Sequence, residues 1–351
     1  MSLARLRLAR SEGVGRMVYR RLLARHGTPE DAVDALGARA FPCDGALREM
    51  EALAERKARL LFLGDSEYPP VLALLDDAPL VLSVEGNLAA FALRGVGIVG
   101  ARNASAHGCR FAENLAESLA LREVAVISGL ARGIDAAAHL GALRTGTTIA
   151  AVAGGLDRPY PRENASLQQR ISEEGGALVS EAPLGTAPMA RHFPRRNRIV
   201  AGLSLGVVVI EAAPQSGTLI TARLAVEAGR ELFAVPGHPH DPRSRGANDL
   251  IRQGAHLTES ADDVLMFLPD SPASAPLLRN LQLPEEPVQD TQPELAGAPA
   301  QLFEMIGSTP IAVDELGRRC QLSPPVLAGL LLDLELQGRI ETLPGNRVAR
   351  A

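Results

Sequence analysis

The sequence is poor in the residues that carry metal, redox and membrane functions. Its 351 residues include three cysteines, Cys43, Cys109 and Cys320, far apart and outside any C-x-x-C or Cys/His ligand spacing. Neither a zinc site nor a disulfide framework is therefore expected. No apolar run approaches the roughly 18 residues that span a bilayer. The opening MSLARLRLARSEGVGR has arginines but no long apolar segment or A-x-A site, so the expectation is a cytoplasmic protein without membrane contact. Lysine is absent except for Lys57. Contacts to phosphate or to bases thus fall to arginine, which grips phosphate through two parallel bonds and stacks on flat rings. The chain has no G-x-x-x-x-G-K-[ST] loop, and GVGIVG places its last glycine, Gly100, directly before Ala101 and Arg102 with no evident ribose-binding acid after it. Nucleotide hydrolysis has little support on these grounds, and no cofactor or metal is expected.

What is present is an ordinary globular composition, 46% hydrophobic and 22% charged, with a formal net charge of −5. The length fits two or three domains, and the acidic balance argues against a uniformly basic nucleic-acid coat while leaving local patches open. Residues 1–60 read as a small basic helical domain, since Arg5, Arg7, Arg10, Arg16, Arg20, Arg21 and Arg25 face only Glu12 in the first 25 residues. Gly13-Val14-Gly15 before a helix is either a plain connector or a turn whose free N–H groups meet a phosphate.

Residues 61–268 carry short apolar runs alternating with helical stretches, at GVGIVG, VAVISG, TTIAAVAGG, ALVS, LGVVVIEA and LFAVPG. That alternation predicts an α/β domain with a mostly parallel sheet covered on both faces. Residues 269–297 are rich in Pro, Ala, Ser and Glu without periodicity, the composition of a disordered linker. Residues 298–351 read as a winged helix: a turn at Ser308-Thr309-Pro310, a helix opening with Asp314 and Glu315, a third helix after Ser323-Pro324, and a hairpin around Pro344-Gly345. The third helix has Val326, Leu327, Leu330, Leu331 and Leu334 on one face, and six acids against five arginines from Gln301 onward disfavour duplex binding relative to a structural or protein-contact role.

Chemistry concentrates where the parallel strands end. VISGLARGIDAAAHLGAL, residues 126–143, runs from a strand through Ser128-Gly129 and Gly133 into a helix of small residues, the arrangement of a generic anion site. Asp135 in the first helical turn suits the helix dipole and is placed to pair with His139 one turn later. Similar ends occur at Gly100 with Arg102, at Gly154-Gly155 with Asp157, and at Glu211 followed by Ser216-Gly217-Thr218. The carboxyl ends of an open parallel sheet form one crevice, so these ends converge. A further cationic run, Arg191, Arg195, Arg196 and Arg198, lies in a stretch without acids from Ala182 to Ile210, either a solvated helix start or an anion-binding surface.

Together, GIVGARNAS, VISGLARGIDAAAHLGAL, AGGLDRPYPRENASL, FPRRNRIVAGLS, VVVIEAAPQSGTLITARLAVEAGRELFAVPG and GANDLIRQGAHL resemble the DNA-processing protein A family (DprA/Smf), densely from about residue 60 to 265. The resemblance implies an extended Rossmann-like domain between a sterile-alpha-motif or helix-hairpin-helix domain and a winged helix. It implies a non-enzymatic function: binding and protecting single-stranded DNA in natural transformation, loading the RecA recombinase, and forming a homodimer through the Rossmann-like domain. Carried onto this sequence, the resemblance implies a nucleic-acid site of Arg102, Ser128, Gly129, Arg132, Asn164, Arg195, Asn197 and Arg198, to which the strand ends read above add Gly100, Gly133, Ser216, Gly217 and Thr218. One departure is Ser166, where many relatives carry lysine. The rival is an enzyme of the nucleoside-monophosphate phosphoribohydrolase type, which uses PGGxGTxxE in a similar crevice. Here Thr221 stands where the glutamate would be and Ser216 where a glycine would be, leaving Glu211 and Asp157 as the strand-end acids.

Overall fold

The computed structural model describes residues 2–214 and 216–269 and, in the C-terminal part, 302–303, 305–307, 311–320, 327, 330–331, 334, 339–343 and 347–350. The chain divides into two compact units, Cys43–Gln282 and Met1–Pro42 with Leu283–Ala351. The first 42 residues form α1 (Ser2–Arg10), α2 (Arg16–His26) and α3 (Pro29–Leu36). Leu6, Leu8, Leu22, Val33 and Leu36 are buried, while Arg20, Arg21 and Arg25 stay exposed on the outer face and Arg5, Arg7, Arg10 and Arg16 are half-buried. Thr28 caps α3 by accepting from Asp31 N at 3.1 Å, with Pro29 pre-set in the first turn. Gly13 adopts a φ of 76°, and Gly15 precedes α2 without a side-chain cap.

In the larger unit the elements run α4 (Cys43–Glu55), β1 (Arg59–Phe62), α5 (Pro70–Ala73), β2 (Val81–Gly86), β3 (Arg94–Gly100), α6 (Ala106–Ala120), β4 (Val124–Ser128), α7 (Ile134–Ala142), β5 (Thr148–Ala151), α8 (Ala165–Glu173), β6 (Ala177–Ser180), α9 (His192–Leu203), β7 (Gly206–Ile210), α10 (Gly217–Glu227), β8 (Glu231–Ala234), α11 (Arg245–Arg252), β9 (His256–Leu257) and α12 (Ala261–Phe267). The compact unit begins before residue 60, because α4 packs Leu53 into the same apolar cluster as Leu130, Ala150 and Leu178. One nine-stranded sheet is ordered β1-β2-β6-β5-β4-β3-β7-β8-β9. Pairing is parallel from β6 to β9, and β1 and β2 add an antiparallel edge.

The six apolar runs read from the sequence are β3 to β8. Their continuous hydrophobicity reflects cover on both faces: successive residues of β7 point into opposite cores, Val207 and Val209 with Ile199 and Leu203, Val208 and Ile210 with Leu115 and Ile134. Burying each such side chain is worth about 1.5–3 kcal/mol. Small residues set the helix spacing. A Cβ on Gly141 of α7 would lie 2.1 Å from Glu113 O of α6, so the alanine-rich helix lies against its neighbour with almost no gap.

In the C-terminal part, β10 (Ile311–Ala312), β11 (Ile340–Leu343) and β12 (Arg347–Arg350) form an antiparallel sheet ordered β10-β12-β11, with α13 (Val313–Cys320) after β10. Leu327, Leu330, Leu331 and Leu334 are buried with Leu302, Ile306, Leu316 and Val348, the core expected of a winged helix. The expected linker beyond Pro269 lies outside the described residues, as do Val326 and the turns at 308–310, 323–324 and 344–345. Among the described residues no helix is long and apolar enough to cross a membrane.

Candidate nucleic-acid interface

The parallel sheet winds in opposite directions from β3, toward β4 on one side and β7 on the other. Such a switch leaves a crevice at the carboxyl ends of the two strands. Here it has a volume of ≈ 810 Å³, walled by the turn after β3, the turn after β4, the first turns of α9 and α10, and Arg243.

Glycines let these turns meet. Gly133 has a φ of 72°, and a Cβ there would lie 2.3 Å from Ala101 O and 2.7 Å from Arg102 O. The turn bearing Arg102 thus rests directly on the start of α7, tied by Ile134 N to Ala101 O at 3.3 Å. Gly100 is equally confined, since its Cβ would be 1.9 Å from Ile210 O, and Thr218 Oγ1 donates to Gly100 O at 3.0 Å. Ser216 and Gly217 line the same wall at the start of α10.

The N–H groups of the Gly-rich turn are not all open to an anion. Asp135 turns back and accepts from Gly129 N at 3.2 Å and Ala131 N at 3.3 Å. Behind it lies Arg196, buried, with Nη1 at 3.9 Å from Asp135 Oδ2 and 3.4 Å from Ala151 O. A Cβ on Gly129 would be 1.3 Å from Arg196 Nη1, so glycine is what admits the guanidinium. Burial pushes the Asp135 carboxyl up, opposed by Arg196, the two N–H bonds and Arg102. Burial likewise lowers Arg196. The Asp135–His139 pairing expected from helical spacing does not form. Thr148 Oγ1 donates its one proton to Val126 O at 2.7 Å and accepts from His139 Nδ1 at 2.7 Å. Burial holds His139 down to about 3, so the ring is neutral.

The remaining expected site residues occupy three kinds of position. Arg102, Asn197, Ser216, Gly217 and Thr218 line the crevice with Gly100 and Gly129. Arg195 is exposed in the first turn of α9 and has no ion-pair partner among the described residues. Arg132 is also exposed but pairs with Glu163 at 2.6 Å. Ser128, Asn164 and Arg198 are engaged within the fold. Ser128 Oγ donates to Ile98 O at 2.6 Å in a fully buried strand. Asn164 Nδ2 donates to Leu130 O at 2.9 Å and Ala131 O at 3.2 Å, fastening the turn after β4. Arg198 makes two bonds to Glu181, 2.6 and 2.7 Å, and a third to Asp77 O, with only 12% of its side chain exposed. Ser166 lies elsewhere, in a separate groove beside α8.

Sequence reasoning did not single out the aromatic lip. Phe193 and Tyr160 meet edge to face with centroids 5.5 Å apart, and the Arg102 guanidinium lies 5.2 Å from the centre of Phe193. Tyr160 is 48% exposed. Only 3% of the sequence is aromatic, so a Tyr and a Phe in the two runs richest in Pro and Arg were the available signal. Arg243 was also missed. It wraps Asp241 with bonds of 3.0 and 2.8 Å and holds that carboxyl down to about 2, chiefly through the side-chain bond.

The two strand-end acids serve the backbone. Glu211, at a φ of 53°, accepts from Ser105 N at 2.8 Å and from Ser105 Oγ, holding the residue that caps α6. Asp157 accepts from Gly185 N at 2.8 Å and lies 3.3 Å from Arg158.

Family models match three segments of the chain: DNA recombination-mediator protein A over residues 59–269, the DprA winged helix domain over 285–346 and the DprA-like N-terminal HHH domain over 1–58. The chain is 42% identical to Protein Smf of Escherichia coli (strain K12) over 297 residues, 82% of this chain and 76% of that protein. It is similar in structure to DNA processing protein A of Streptococcus pneumoniae, with a TM-score of 0.63 at 35% identity over 76% of this chain and 96% of that one. It is also similar to DNA processing protein A of Helicobacter pylori, a protein with a unique single-stranded DNA binding mode, with a TM-score of 0.55 at 28% identity over 60% of this chain and 94% of that one.

Proposed function

The chain belongs to the DNA recombination-mediator protein A family, and from that premise we propose that it binds single-stranded DNA in the crevice after β3, β4 and β7, in the service of transformation and recombination. The observation that carries this reading is the lip of Arg102, Phe193 and Tyr160 over a glycine-lined floor. A single strand offers unstacked bases and a charged backbone together, and an exposed and a half-buried ring beside an arginine answer both. A nucleoside-monophosphate hydrolase would need a free carboxylate at the sugar, and both strand-end acids are engaged by backbone N–H groups.

The finer features follow from the same family. The protein works in the cytoplasm without catalysis, passes its strand to the RecA recombinase, and acts as a homodimer. The edge strand β9 suits the self-contact, since Leu257, Met266 and Phe267 are exposed beside it at 49%, 74% and 46%. Unpaired strand edges flanked by apolar side chains are ready templates for pairing.

Fluorescence anisotropy with a labelled single-stranded oligonucleotide at two salt concentrations tests the proposal. Tight, salt-weakened binding that duplex DNA and nucleoside monophosphates compete poorly is the expected result. Displacement or turnover of a monophosphate without strand binding would replace it with the hydrolase reading.

A further inference from the structure

The crevice reaches the loop between β8 and α11 at one residue, Arg243, and the sequence reading assigned that loop nothing. Val235 continues the parallel ladder with a bond to Val209 O at 3.0 Å, so the loop starts at the carboxyl edge of the sheet beside β7. It is then built rigidly. Gly237 and Asn248 exchange two bonds, 3.0 Å from the glycine N–H and 2.9 Å to its carbonyl, and Gly246 N donates to Ala212 O at 2.8 Å. Asp241 is fully engaged by Arg243, whose own side chain forms part of the crevice wall.

With its one acid engaged, the loop presents two imidazoles and an arginine. His238 and His240 are exposed with ring centroids 5.5 Å apart, and His240 N donates to His238 Nδ1 at 3.3 Å, which fixes the first ring. Arg245 is exposed and has no ion-pair partner among the described residues. Two flat rings and, at the start of α11, an exposed guanidinium repeat the residue chemistry of the lip in the segment that carries Arg243.

We infer that the strand held in the crevice continues over this loop, with a base against the His238–His240 rings and a backbone phosphate at Arg245. The inference rests on the crevice being a single-strand site, and oligonucleotide length separates the two. A short strand fills the crevice alone, whereas a long one also reaches the loop.

The test is anisotropy of the full chain with a tetranucleotide and with an oligothymidylate of about twenty nucleotides. The variants are His238→Ala/His240→Ala and, separately, Arg245→Ala. All three side chains are exposed, and circular dichroism checks the fold. The histidine variant is expected to weaken the long strand about 10-fold and leave the tetranucleotide unchanged. Arg245→Ala is expected to lower the salt slope for the long strand by about 1. Unchanged long-strand binding in both variants, or an equal loss for the two lengths, overturns the extended track while leaving the crevice in place. Failure of the unaltered chain to bind either oligonucleotide overturns the crevice reading and the track with it.

Discussion

Two arginines of similar sequence context have opposite surroundings. Arg102 projects over Phe193 and forms no ion pair among the described residues, whereas Arg198 is held by Glu181 and by Asp77 O. A cation already satisfied by the fold adds little to the attraction of a polyanion. Arg102→Ala is therefore expected to reduce the salt slope of single-strand binding by about 1 with little change in the urea midpoint. Arg198→Ala is expected to cost about 1–3 kcal/mol of stability by removing the two bonds that Glu181 accepts from it and the one that Asp77 O accepts, at nearly unchanged salt slope. A denaturation curve and a salt titration on the two variants check both halves. No sequence pattern distinguishes these residues, because Asp77 and Glu181 reach Arg198 only through the folded sheet. Ser128 is the same case: its motif places it at a strand end, and only the pairing of β3 with β4 reveals that its hydroxyl meets Ile98 O.

At the level of elements, α7 is seated by a polar contact inside an apolar layer. His139 reaches Thr148 of β5, and its Nε2 is buried without a partner. Protonation would place a charge where no group receives it. The unfolded imidazole titrates near 6.5 and the folded one at about 3. Between these values the unfolded chain binds the extra proton, so stability falls as pH drops below about 6.5, by about 2 kcal/mol at pH 5. His139→Leu should remove that part of the pH dependence, measured as the difference in urea midpoint between pH 7.5 and pH 5. The helix itself was legible from GIDAAAHLGAL because a glycine turn runs into small residues suited to close packing on the sheet, whereas the equally close approach of Gly141 to α6 emerges only in the fold. The strands β3 to β8 were legible because each is a short apolar run between helices. The additional strands β1, β2 and β9 were not: β1 and β2 are an antiparallel pair at one side of the sheet, outside the strand–helix alternation, and β9 is two residues long.

At the scale of the molecule, the winged helix has its own core of leucines, with Ile306, Ile340 and Val348, and a near balance of acids and arginines. Nothing in that charge draws a polyanion. Ending the chain after residue 268 should leave most of the single-strand affinity intact, with the anisotropy titration of the shortened chain overlying that of the full one. A large loss would assign the strand to the C-terminal domain.

The inward-turned carboxylate of Asp135 also bears on life among small metabolites. A strand–turn–helix whose N–H groups all faced the crevice would be a trap for any free phosphate or nucleotide, and such a trap is permanently filled in a cell. By drawing the Gly129 and Ala131 N–H groups inward, Asp135 blunts that trap. A polymer is less affected, because its grip is the sum of many weak contacts along one chain, none of which a lone ion can reproduce.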